Sequence, residues 1–131
     1  MDIDVLQAVD YHPQQIEVAK LNGFDIQIGP LANLVSSDQH CVYGIIATGT
    51  HEELDRLYGK YVLDKLGAVY LPEAVLCERN DGSLIPALVY LNPDMTPAAT
   101  TDEYLDKITN PARKLGFPDW YIEKLESFRP Y

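Results

Sequence analysis

The sequence lacks the features that mark membrane, secreted and metal-binding proteins. In 131 residues no apolar run approaches the ~20 residues that a helix needs to cross a bilayer. Two of the first four residues, Asp2 and Asp4, are acidic, where a secretory signal would be basic. Cys41 and Cys77 are the only cysteines and have neither metal-binding nor redox spacing, so we expect buried free thiols. We therefore expect a soluble, cytoplasmic protein.

Basic residues are also scarce. The chain has 10 Lys and Arg against 20 Asp and Glu, a formal net charge of −10. Such a surface repels phosphate groups, so we expect neither nucleic acid nor an anionic membrane as a partner. His12 and His51 are far apart and show no ligand spacing, and neighbours such as His40 and Cys41 point to opposite faces of a strand. We expect no metal, no other cofactor and no catalytic dyad there.

What the sequence does contain is the composition of a globular protein, 47% hydrophobic and 23% charged, at the length of one domain. We predict a single domain over residues 1–131. Alternating and continuous apolar patterns define the elements of the first half. They predict, in order, a helix over 2–10, a strand over 14–28, a loop over 31–39 and a central strand over 41–47.

The second half begins and ends with helices. Capping boxes that start at Thr50 and at Thr100 each predict a helix, because the hydroxyl and the Glu three residues later satisfy each other's free backbone N–H groups. A strand over 68–79 and its partner over 84–91 form a hairpin around an Asn-Asp-Gly-Ser turn. Pro118 begins a last helix. This order predicts an α+β fold whose largely antiparallel or mixed sheet curls into a small barrel.

Three motifs follow one another along nearly the whole chain. Residues 19–26 read AKLNGFDI, residues 42–46 and 54–59 read VYGII and LDRLYG, and residues 104–125 contain GFP ahead of YIEKL. Together they resemble the γ-glutamyl cyclotransferase-like family, also called AIG2-like. The resemblance implies a small mixed β-barrel with flanking helices. It also implies a reaction in which the α-amine of a γ-glutamyl group attacks its own γ-carbonyl and releases 5-oxoproline.

That reaction needs one carboxyl group that acts first as a base and then as an acid. In the family it is the Glu of Leu-Asp-x-x-Glu-Gly, and here that position is Tyr58. A phenol with a pKa near 10 is ionised in only about one molecule in a thousand at neutral pH. We therefore expect degraded or absent catalysis. Glu73, on the following strand, is a weak substitute for the missing carboxylate.

The resemblance also supplies the remaining site residues. Tyr43, Gly44 and Tyr104 match positions near the family's pocket, so they are candidates for substrate binding. The family's backbone donors for the oxyanion come from a loop reading Tyr-Gly-Ser-Asn. Met1 resembles the residue that follows this pattern, so we expect the first strand and the donor loop to be missing. Sheet edges left unpaired seek partners, which predicts a homodimer.

Three interpretations of function stay open at this point. The chain is a cyclotransferase-like protein with degraded catalysis that binds a small γ-glutamyl or amine-containing ligand. Alternatively, it is an active cyclotransferase that uses Tyr58 or Glu73. In the third interpretation it is a non-catalytic, dimeric interaction module, since a fold does not guarantee an activity.

Overall fold

A computed structural model describes residues 16–59, 67 and 69–130, so the helix expected over 2–10 lies outside the described residues. The described part has an α+β fold, as predicted. Its strands are β1 (Ile16–Ile28), β2 (Ala32–Ala47), β3 (Leu71–Arg79) and β4 (Leu84–Leu91). Its helices are α1 (His51–Leu54), α2 (Asp102–Lys114) and α3 (Asp119–Glu126).

The four strands form one antiparallel sheet in the order β2-β1-β3-β4. Over the described residues no backbone ladder joins β2 to β4, so the sheet is open where a closed barrel was expected. Its two edges still meet at one end through a side chain. Asn33 of β2 donates from Nδ2 to the carbonyl of Asn92 at 2.7 Å and accepts the Asn92 N–H at 2.9 Å. The amide therefore replaces a backbone pair at that end only.

Strand β2 corrects two sequence predictions. Residues 32–36, predicted as loop, pair with the second half of β1 from Ile28 to Phe24. Only residues 37–40 leave the register, opposite Gly23, whose φ of +87° suits a bulge. The polar residues 37–40 form this bulge. The apolar run over 41–47, predicted to be central, lies in an edge strand of the described sheet.

The hydrophobic core joins the β1–β2 ladder to α2 and α3. Gly116, with a φ of +76°, ends α2 and lets the chain turn directly into α3, as the sequence predicted. Burial of these side chains supplies the main driving force for folding. The buried cluster consists of Leu21, Ile26, Ile28, Val42, Leu105, Ala112, Phe117, Tyr121 and Leu125.

The start of α2 lies one residue later than the predicted capping box. Thr101 is the N-cap, and its side chain accepts the N–H of Tyr104 at 3.1 Å. Thr100 is buried instead, and its hydroxyl donates to the carbonyl of Pro30 at 2.9 Å. Two adjacent threonines compete for the cap, and the tertiary contact with the β1–β2 turn decides between them.

Two further observations concern the cysteines and membrane-spanning helices. Cys41 and Cys77 are free thiols, as predicted, although both are half-buried rather than buried. Within the described ranges, no helix combines the length and the apolar character that a membrane span requires.

Candidate functional site

A cavity of about 450 Å³ occupies the gap between the two edges of the open sheet. Residues 42–49 of β2 and the segment after it form one wall, and residues 85–90 of β4 form the other. Leu54, Leu57 and Tyr58 close it from the α1 side. None of the described residues that line this cavity is an Asp, Glu, Lys, Arg or His. Its polar groups are hydroxyls, a thiol and backbone atoms.

The segment that carries Tyr58 is fixed at its beginning by the predicted capping box. The Glu53 N–H donates to Thr50 Oγ1 at 3.1 Å, and the Thr50 N–H donates to Glu53 Oε1 at 2.9 Å. After α1 the chain continues in wider π-helical turns over 55–59, a distortion that is frequent at functional sites. Leu57 is buried there and anchors the turn. This arrangement holds Tyr58 against the cavity wall.

A second cavity of about 300 Å³ adjoins the first. Leu54, Tyr58 and Tyr90 line both cavities, so they form the shared wall. Unlike the described lining of the larger cavity, that of the smaller one includes a carboxyl group, from Asp55, and an imidazole, from His51. The two spaces therefore differ in chemistry: one is apolar, and the other contains a carboxyl group.

Three tyrosines surround the junction of the cavities. The rings of Tyr58 and Tyr90 stack with their centroids 3.8 Å apart and their planes 9° apart. Tyr70 lies 6.4 Å from Tyr58 at a tilt of 43°. The Tyr70 hydroxyl donates to the carbonyl of Ala32 at 2.5 Å, and burial raises the pKa of Tyr70 above its ordinary value. Tyr70 is thus a protonated structural donor at neutral pH and no base.

The predicted binding residues fall in different places. Tyr43 and Gly44 line the larger cavity, and the Tyr43 ring packs 5.4 Å from Tyr121. Tyr104 lines neither cavity: its hydroxyl accepts the N–H of Ala32 at 2.8 Å, and burial raises its pKa. Glu73 is exposed on β3 and also lines neither cavity. Roles for these residues in binding or catalysis stay predictions.

The structure brings three residues to the site that sequence reasoning did not select. Asp55 lies within the LDRLYG motif, but the family resemblance assigns an acid–base role only to the position of Tyr58. Tyr70 and Tyr90 come from segments far along the chain, and no local pattern distinguishes them from ordinary strand residues. Within the described ranges, no cluster of His, Cys, Asp and Glu is arranged to hold a metal ion.

No model of a known protein family and no curated protein sequence matches the chain. Solved structures do. A γ-glutamyl cyclotransferase superposes with a TM-score of 0.78 at 20% identity, over 99% of this chain and 85% of that one. An uncharacterised human protein gives 0.75 at 22% identity, over 88% and 74%.

A protein of Arabidopsis thaliana, solved in solution, gives a TM-score of 0.58 at 20% identity, over 96% of this chain and 82% of its own. At such identities the likeness concerns the backbone arrangement. The expectation drawn from the three sequence motifs is confirmed at that level. The chain has a γ-glutamyl cyclotransferase-like fold.

Proposed function

We propose that this chain is a γ-glutamyl cyclotransferase-like protein that binds a small γ-glutamyl or amine-containing ligand and has lost most or all catalysis. One observation carries the proposal. Tyr58, at the position that resembles the family's acid–base Glu, lies on the wall between two cavities. The larger cavity has no carboxyl group among its described lining residues.

The chemistry of ring closure explains why this observation matters. The attacking amine must lose a proton and the leaving nitrogen must gain one, and a carboxyl group can do both. An ordinary phenol has a pKa near 10, so a tyrosine at this position can donate a hydrogen bond but is a poor base at neutral pH. Loss of a general acid–base group typically lowers the rate by about 10²–10⁴-fold. Glu73 does not line either cavity, which weakens the case for it as a replacement.

Release of 5-oxoproline from a panel of γ-glutamyl amines and γ-glutamyl amino acids tests this proposal. We expect at most a trace from the wild type and a gain of about 10²-fold or more for Tyr58→Glu, which restores the carboxyl group. Tyr58→Gln is the matched control, since Gln is close to Glu in size but has an amide in place of the carboxyl group. Rapid turnover by the wild type would contradict the proposal and favour an active enzyme, in which case Glu73→Gln would test the relocated carboxylate.

A dimeric interaction module is the second candidate, and the β3–β4 hairpin favours it. Leu76, Leu84 and Leu88 share one face of the hairpin and are 57%, 60% and 57% exposed. Exposed apolar side chains in one patch are typical of interaction sites. A homodimer that buries this face would explain them.

Sedimentation at micromolar concentrations tests the homodimer. We expect a dimer for the wild type and a folded monomer for Leu88→Asp, because a charge buried without a partner is costly. Lys107→Asp, on the exposed side of α2, is the control for a change of charge away from the hairpin. A wild type that remains a stable monomer would rule out this dimer.

The net charge and the free thiols support proposals about the partners and the cellular location of the protein. A net charge of −10 supports a protein that avoids nucleic acid and anionic membranes. Two free cysteines support a reducing compartment, so we propose a cytoplasmic location. Fractionation of cells that express the full chain would test this location.

A further inference from the structure

The described linings of the two cavities differ in charge, and this difference points to a class of ligand. The geometry points to a hydrophobic amine, with its apolar body in the larger cavity and its ammonium group in the smaller one, beside Asp55 and the tyrosine rings that line that cavity. This inference rests on the proposed function, because it names the ligand of the same site. It selects the amine-containing ligands from the classes proposed above.

The smaller cavity suits a cation for two reasons. The rings of Tyr58, Tyr70 and Tyr90 line it, and the face of such a ring carries negative π density that attracts an ammonium group within about 6 Å of the centroid. Because Tyr58 and Tyr90 stack on each other, each of these two rings offers only its outer face. Asp55 adds a carboxylate to the same space. An anionic head group would meet both features unfavourably. The net charge of −10 attracts cations to the whole surface and acts in the same direction.

The larger cavity suits an apolar body. Its walls are the aliphatic side chains of β2 and β4, and none of its described lining residues is charged. Each methylene group moved from water into such a space strengthens binding by about fourfold. Because Leu54, Tyr58 and Tyr90 line both cavities, one ligand can occupy the two spaces at once. A chain of several carbons ending in an amine matches this division.

A substitution at Gly59 can shift the Asp55 carboxylate without removing its charge. A Cβ atom at position 59 would lie 2.5 Å from Asp55 Oδ1 and 3.3 Å from its Cγ. Any larger residue there forces the carboxylate to move, and the end of a short side chain can do so without moving the backbone. Gly59→Ala therefore keeps the charge of Asp55 and changes its position.

Titration of the full chain with n-hexylammonium, 1-hexanol and hexanoate, followed by NMR or calorimetry, tests the inference. These probes share the apolar chain and differ in charge. We expect n-hexylammonium to bind about tenfold more tightly than 1-hexanol, and hexanoate to bind most weakly. Equal affinities for the amine and the alcohol, or no binding of the amine, would overturn the inference.

Two variants locate the effect. Asp55→Asn and Gly59→Ala should each weaken n-hexylammonium binding by about five- to tenfold and leave 1-hexanol binding unchanged. Asp38→Asn removes the same charge from the exposed bulge of β2 and should change neither affinity. Should Asp55→Asn fail to fold, Gly59→Ala carries the test. Full affinity for the amine in the folded variants would show that the carboxylate has no part in recognition.

The outcomes separate this inference from the proposed function. Efficient release of 5-oxoproline by the wild type would overturn the loss of catalysis and leave the preference for n-hexylammonium intact. Loss of the preference for n-hexylammonium over 1-hexanol would overturn the inference and leave the 5-oxoproline result as it stands.

Discussion

Apolar side chains are buried on the helical side of the molecule and exposed on the β3–β4 hairpin. On α2 and α3, Leu105 is 0% and Tyr121 is 1% exposed. On β4, Leu84 and Leu88 are 60% and 57% exposed, although they are as apolar as Leu105. Burial supplies the stability on the helical side, whereas the apolar surface of the hairpin contributes little to it. The contrast separates the part that keeps the chain folded from the part available for contact with other molecules.

The helical side is also where the ion pairs concentrate. Arg129 contacts Asp102 at 3.0 Å, Asp106 at 2.9 Å and Glu126 at 2.7 Å, so it links the segment after α3 back to the start of α2. The walls of the larger cavity, by contrast, carry no charged side chain among the described residues. Among the described residues, ion pairs therefore join the helices and the segment after α3, and none lies in the gap of the sheet.

The largest expected effect tests burial directly. Leu105→Ala should lower the free energy of unfolding by about 2–5 kcal/mol, because it leaves a cavity in the core. Leu84→Ala, the matched change on the hairpin, should alter it by no more than about 0.5 kcal/mol. Urea denaturation followed by circular dichroism measures both. Similar losses of unfolding free energy in the two variants would contradict the contrast between the helical side and the hairpin. A loss for Leu84→Ala that grows with protein concentration would indicate that a dimer buries this face.

An intermediate effect concerns two buried threonines. Thr109 is 0% exposed and its Oγ1 has no hydrogen-bond partner among the described residues, so Thr109→Val should stabilise the fold by about 1 kcal/mol. Thr100→Val should destabilise it by about 1 kcal/mol, because it removes the hydrogen bond to the carbonyl of Pro30. Urea midpoints measure the pair. Changes of the same sign in the two urea midpoints would show that hydrogen bonding of the hydroxyls does not determine the effect on stability.

The smallest effect concerns the ion pairs around Arg129. Hydrogen bonds from Arg129, and then from Arg113, lower the pKa of Glu126 from 4.5 to about 2. Since the pKa is lower in the folded state, the stabilisation is complete above about pH 4.5 and is lost as the pH falls towards 2. Arg129→Gln should therefore lower the urea midpoint at pH 7 by a small amount, limited by solvent screening, and less at pH 3.

The control for this prediction is Lys114→Gln, which removes one positive charge from the exposed end of α2. Its urea midpoint should differ little from that of the wild type at either pH. A difference between Arg129→Gln and the wild type that stays constant from pH 7 to pH 2 would contradict the assignment to Glu126. Added salt should reduce the difference at pH 7.

Local features of the fold were predictable because their causes are local. The capping box at Thr50, the hairpin turn and the end of α2 at Gly116 depend on a few neighbouring residues. The predictions that failed depended on distant partners. Residues 32–36 are strand because β1 lies beside them, and Thr100 leaves the cap because Pro30 accepts its hydroxyl.

In the candidate site, too, the local features were predictable from the sequence and the long-range contacts were not. The motif that contains Tyr58 was recognisable in the sequence, and so was the absence of a carboxyl group at that position. The stack of Tyr58 on Tyr90, and the approach of Tyr70, join residues that are 12 to 32 positions apart. No periodicity encodes such contacts, so the smaller cavity and the place of Asp55 within it could not be predicted.

The sequence by itself determined the fold class, the capping box at Thr50, the hairpin turn, and the replacement of an acid by a phenol at position 58. The tertiary structure alone decided which sheet edges stay unpaired, which apolar side chains stay exposed, and which side chains meet around the cavities. The reason is the range of the forces. Backbone dihedral preferences and capping hydrogen bonds act over a few residues, whereas the pairing of strands and the packing of side chains depend on the whole chain.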